Sequence, residues 1–184
     1  LNFNETALNE DGSCLYYTGS VAYVDTSGSD VTGDGSMGNP FASIQYALNV
    51  VNENDTIHVA AGTYTENIIW PDKEGIQLIG ESRETTIIDG NQTGSVIHFD
   101  DNLGGVIDST TLITGFTIQN GDPGAYPNNH GGGIYLHTSS PTLEDLTITG
   151  NSVGDTFGYG GGIYCMNSNP VITNLNISAN SVSS

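Results

Sequence analysis

The feature that most constrains this chain is an internal repeat. Residues 131–153, GGGIYLHTSSPTLEDLTITGNSV, lie over residues 160–182, GGGIYCMNSNPVITNLNISANSV, at an offset of 29, with 12 of 23 positions identical. A repeat near 30 residues with short apolar/polar alternations and no helical period is the pattern of a solenoid. The alternations recur as Ile57-x-Val59, Ile76-x-Leu78, Phe116-x-Ile118, Leu146-x-Ile148 and Leu175-x-Ile177. Such units cannot bury an apolar side alone. They stack, with parallel strands about 4.8 Å apart. The expected pairs are Ile134 with Ile163, Leu136 with Cys165, Leu146 with Leu175 and Ile148 with Ile177. Cys165 is therefore expected to face the interior as a small apolar residue. Gly131–Gly133 and Gly160–Gly162 are expected at one corner, Pro141 and Pro170 at the next. Asn151 and Asn180 fall at equivalent turns, where side-chain amides can form a ladder. The fold class expected is all-β, a right-handed parallel β-helix of about four coils.

Upstream of the repeat the pattern changes. Residues 1–19 are polar, acidic and Asn-rich, and read as a leader. Residues 20–55 read as an N-terminal cap. There a short strand, Val21–Val24, precedes a Gly/Ser/Thr/Asp loop running to Ser36. Asn39-Pro40 suggests a helix start, with Asn as N-cap and Pro at the first helical position. Phe41, Ile44, Ala47, Leu48 and Val51 then give helical spacing over roughly three turns. Residues 56–184 hold the coils. The chain starts at Leu1 and ends in a coil without a change of composition, so we expect a piece of a longer chain. On this expectation, further coils or a neighbouring subunit cover the C-terminal end.

Charge narrows the partners. Two Lys+Arg against 21 Asp+Glu leave a net charge of −19. Phosphate binding needs a basic patch, and only Lys73 and Arg83 exist, so nucleic acid is excluded as a partner. Anionic lipid is disfavoured on the same ground. So is a metal-free site for an anionic polysaccharide. No apolar stretch is long enough for a transmembrane helix.

The run Thr56-Ile57-His58-Val59-Ala60-Ala61-Gly62-Thr63-Tyr64-Thr65-Glu66-Asn67-Ile68 resembles the first coil of the pectin lyase-like right-handed parallel β-helix superfamily. Ile76-Gln77-Leu78-Ile79-Gly80-Glu81 and Thr86-Ile87-Ile88-Asp89-Gly90 resemble its next strands. The GGGIY coils resemble those of bacterial surface proteins with polymorphic outer-membrane-type repeats. Residues 1–14 resemble the end of a short Cys-containing repeat of secreted bacterial surface proteins, in which Cys14 would pair with an upstream cysteine. These resemblances imply a secreted or cell-surface bacterial protein. They do not fix an activity, because the superfamily holds lyases, hydrolases, esterases, adhesins and structural shafts.

Lyases of the superfamily hold calcium on clustered Asp and use Arg or Lys as base. Here Lys73 and Arg83 both fall in turns flanked by acids. Inverting glycosidases of this fold need converging carboxylates. Asp89, Asp100, Asp101 and Asp108 are available, but read as turn and loop residues. No catalytic residue is assigned. Asp25, Asp30 and Asp34 lie in a Gly-rich loop with oxygen ligands suited to calcium, or else form Asx turns that shape the loop. Calcium is the single cofactor the sequence suggests. Asn2, Asn4, Glu10 and Asp11 form a second acidic group. Tyr135 and Tyr164, 29 apart, should stack outward with His137 beside them and Tyr126, Phe157 and Tyr159 in neighbouring loops. Such a strip suits a carbohydrate or an adhesive partner, and equally serves as cross-strand support. His58 is expected outward as well. The functional expectation is a non-enzymatic extracellular module of a stalk, adhesin or filament. Its alternative is the N-terminal part of a carbohydrate-active enzyme whose catalytic coils lie beyond residue 184.

Overall fold

The structure, a computed structural model, describes residues 17–100, 107–124, 130–154 and 158–183. Cys14, Tyr126, Phe157, Asp101 and the acidic group at residues 2–11 lie outside the described residues. The chain is mostly β. In order it forms β1 (Val21–Val24), α1 (Ile44–Val50), β2 (Thr56–Val59), β3 (Gly62–Thr65), β4 (Ile68–Ile69), β5 (Gln77–Gly80), β6 (Thr86–Asp89) and β7 (Ile97–Asp100). Then follow β8 (Leu112–Gln119), β9 (Ile134–His137), β10 (Thr142–Thr149), β11 (Ser152–Val153), β12 (Ile163–Met166), β13 (Val171–Thr173), β14 (Asn176–Ser178) and β15 (Ser181–Val182).

Every pairing between these strands is parallel. The largest sheet runs β1-β2-β5-β8-β10-β13, with β3-β6 joining β8 and β14 joining β10. A second sheet runs β4-β7-β9-β12, and β11 pairs β15 in a third. The 29-residue register holds: Ile134 pairs Ile163, Leu136 pairs Cys165 and Ile148 pairs Ile177.

Side chains alternate across each strand, so the inward residues build continuous columns. One runs Ala22, Ile57, Leu78, Ile113, Leu143, Ile172. Another runs Tyr64, Ile88, Ile118, Ile148, Ile177. On the second sheet Ile68, Ile97, Ile134 and Ile163 form a third. All members are buried except those of the last tier: Ile172 is 51% exposed, Ile177 52%, and Ile163 is half-buried; Val182, the partner of the buried Val153, is likewise 44% exposed. The same residue type in the same column changes exposure because, among the described residues, no strand pairs with its other side. Cys165 shows the same effect. It pairs the buried Leu136, yet it is exposed and free. The interior environment expected for it is therefore corrected. Each fully covered column member contributes roughly 1.5–3 kcal/mol.

Corners recur in register too. Left-handed backbone occurs at Gly131 and Gly160 (φ 66° and 67°), at Thr138 and Asn167 (53° and 52°), and at Gly115, Asp145 and Asn174 (79°, 49° and 53°). It occurs again at Asn120, Gly150 and Ala179 (56°, 65° and 54°). At the 131/160 corner the glycines are required, because a Cβ on Gly131 would lie 2.7 Å from the Ile134 carbonyl oxygen. The 151/180 turn carries the expected amide ladder. Asn151 Nδ2 donates to Asn180 Oδ1 at 2.9 Å and to the Ile118 carbonyl at 3.1 Å, and its Oδ1 accepts from Gly121 N at 2.9 Å.

The helix starts later than the sequence suggests. Asn39-Pro40 is not its beginning: Phe41 forms a parallel bridge with Val24, and the N-cap is Ser43. Seven residues form α1 in place of three turns. The reason is a set of caps from elsewhere in the chain. Asp30 Oδ1 accepts from Ala42 N and Ser43 N, and Glu66 accepts from Ile44 N and Gln45 N. At the other end the Lys73 ammonium donates to the carbonyls of Leu48, Asn49 and Val51. The helix packs against β1, β2 and β4 and buries Ile44, Ala47 and Leu48 in the shared core. Among the described residues no helix is long and apolar enough to cross a membrane.

Candidate functional site

The outer face of the second sheet gathers rings. Its inward residues are aliphatic or aromatic, so alternation sends Ile69, His98, Tyr135 and Tyr164 outward in one register column. The next outward column is Asp100, His137 and Met166. His98 stacks on Tyr135 with centroids 4.4 Å apart and planes 8° apart, and Tyr135 stacks on Tyr164 at 5.7 Å. His130 and Tyr159, joined by a parallel bridge, flank the column. His130 lies 4.7 Å from Tyr164 and 5.3 Å from Tyr159. Three of the chain's four histidines therefore share this face.

The geometry decides what the face can offer. Tyr135 is covered on both ring faces, by His98 and by Tyr164. It presents its edge and hydroxyl rather than a stacking surface. Tyr159, 61% exposed, is the ring with the most open area. Beside the column lies a polar hollow of about 370 Å³ bounded by Ser95, His98, Asp100, Pro123, His130 and Tyr135. The buried Nδ1 of His130 has no hydrogen-bond partner among the described residues. His137 Nδ1 lies 2.7 Å from Asp100 Oδ1. Burial lowers the His98 pKa below the usual imidazole value, against the pull of Asp100. Burial also raises the Tyr135 phenol. Both shifts favour the uncharged forms of His98 and Tyr135, so these two stacked rings offer neutral donors and acceptors.

The residues expected to meet a partner, Tyr135, Tyr164, His137 and Tyr159, are brought onto this one face. His98 and His130 join them, two residues that no sequence motif singles out. Their spacing hides them: His98 precedes its register partner Tyr135 by 37 residues, not 29. His58 lies elsewhere, stacked on Tyr23 at 5.6 Å outside the first sheet.

The three loop aspartates are occupied locally. Asp25 Oδ1 accepts from Ser27 N and Oγ, Asp34 Oδ1 from Ser36 N, and Asp30 caps the helix. These bonds hold the Asp25 and Asp34 carboxyls below their ordinary values. Among the described residues no three His, Cys, Asp or Glu side chains come together as a metal site. Arg83 is spent on Glu84 and on Asp145 at 3.2 Å, with a further bond to the Asn174 carbonyl. Asp89 accepts from the Gln119 and Asn120 amides, and Asp108 from Thr110.

A family model described as a protein of unknown function, DUF1565, matches residues 26–184. The chain belongs to the DUF1565 family. No curated protein and no solved structure matches it significantly. The match covers the helix, every strand after β1 and the ring-bearing face, so the DUF1565 unit takes in the whole candidate site.

Proposed function

We propose that this DUF1565 chain is a rigid, non-enzymatic module of a larger secreted or cell-surface bacterial protein, a segment of a stalk, adhesin or filament. In this reading the parallel strands wind as a right-handed β-helix akin to the pectin lyase-like superfamily, and α1 closes its N-terminal end. The supporting observation is the in-register stacking of inward columns from β1 to β13. Stacking of that kind builds length and stiffness without a catalytic centre. Both cations are used structurally, Lys73 on the helix and Arg83 at a corner, which leaves neither free as a base. The exposed apolar members of the last tier are suited to cover by a further tier of the same chain or by a neighbouring subunit.

The ring-bearing face is the contact surface. Its hydroxyl and imidazole edges suit the hydroxyls of an uncharged polysaccharide, and Tyr159 offers the stacking ring. The net charge of −19 turns acidic polymers away. This reading requires no calcium.

Affinity electrophoresis in neutral and acidic polysaccharide gels, with the same mixtures assayed for reducing ends and unsaturated products, tests it. Retardation by a neutral polymer, weakened at least fivefold by Tyr159→Ala, with no product released, is expected. Product release would overturn the non-enzymatic reading. Equal retardation of the variant would remove the contact face.

A further inference from the structure

A second concavity lies where the 25–40 loop meets the outer face of the first sheet. Tyr23, His58 and Ile79 point outward there in one register column. With the loop they enclose a cleft of about 570 Å³, walled by Met37 and Pro40. Met37, 72% exposed, places a flexible apolar side chain at the edge of the cleft. Two carboxylates, Asp25 and Glu81, also line the cleft.

Neither acid meets a cation among the described residues. Asp25 uses Oδ1 for Ser27, and Glu81 uses Oε2 for Ala61 N. The other oxygen of each accepts no hydrogen bond among the described residues. Neither the lysine nor the arginine serves them, because Lys73 is bound to helix carbonyls and Arg83 to Glu84 and Asp145. An apolar cleft with aromatic edges and two unneutralised carboxylates matches one side-chain chemistry: an aliphatic stem ending in a positive charge.

We propose that this cleft docks a lysine or arginine side chain, flanked by apolar residues, from a partner polypeptide. The stem lies along Ile79, Met37 and Pro40, and the charge sits between Asp25 and Glu81. This interaction is independent of the polysaccharide face and stands or falls without it.

The chain has two methionines, Met37 in the cleft and Met166 on the second sheet, which makes an internal control. Protein labelled at the methionine methyls is titrated with acetyl-Leu-Lys-Leu-amide and with its norleucine-for-lysine analogue, the two signals being assigned with Met37→Leu. Saturable movement of the Met37 signal alone is expected, at least tenfold weaker for the analogue and at least threefold weaker in Glu81→Gln. Glutamine keeps an oxygen for Ala61 N, so this variant retains the local fold. Equal movement of both methyls, or movement unchanged by Glu81→Gln, would show diffuse attraction to an acidic chain and overturn the proposal. Equal affinity for the analogue would overturn its charge requirement.

Discussion

His98 is the residue where packing and protonation meet most directly. It stacks on Tyr135 and lies in the column beside Asp100 and His137. Burial lowers its pKa, Asp100 pulls it back up, and His137 lowers it again. The unfolded chain therefore takes up a proton at a higher pH than the folded one. The stability from neutral His98 is present above the unfolded value of about 6.5 and is lost as pH falls through the lower folded value. Thermal unfolding should thus drop between neutral pH and pH about 5, and the drop should shrink in His98→Phe, which keeps the stack but cannot titrate. An imidazole titration of His98 at or above the ordinary value would refute this account.

At the scale of the element, α1 is the instructive case. Seven residues make too few internal hydrogen bonds to persist alone. The helix is held by Asp30 and Glu66 at its N-terminus and by the Lys73 ammonium at its C-terminus. Lys73→Met should leave three carbonyls without their donor and cost about 1–3 kcal/mol, read by urea unfolding, with partial recovery in Lys73→Arg. None of these caps was legible in sequence, because they come from 12 to 25 residues away. The sequence signal at Asn39-Pro40 was sound local chemistry overridden by the bridge of Phe41 to Val24. The repeat, by contrast, was legible down to single residues. Its register is one-dimensional, so equal spacing means direct contact, as Ile134–Ile163 and Asn151–Asn180 show. Where the spacing stretches, the reading failed. That is why His98 was not placed on Tyr135, although Tyr164 was.

At the scale of the whole molecule, stability is distributed by column, and the cost of a truncation depends on its tier. Ile148 is covered on both sides, by Ile118 and Ile177, whereas Ile177 is covered on one. Ile148→Ala should therefore cost about 2–5 kcal/mol. Ile177→Ala, at a half-exposed position, should cost under about 1 kcal/mol in this chain. Equal losses in chemical denaturation would mean that the last tier is as well covered as the one below it.

The corner geometry carries an evolutionary consequence. Partners on the first sheet are separated by 21 residues from Ile57 to Leu78, by 35 from Leu78 to Ile113 and by 30 from Ile113 to Leu143, yet all four remain inward. Growth is absorbed where the backbone reverses, while a single residue lost from the middle of β10 would turn half a wall inside out. A lineage of such chains can vary freely in girth and ornament at its bends, and must conserve parity along its straight runs.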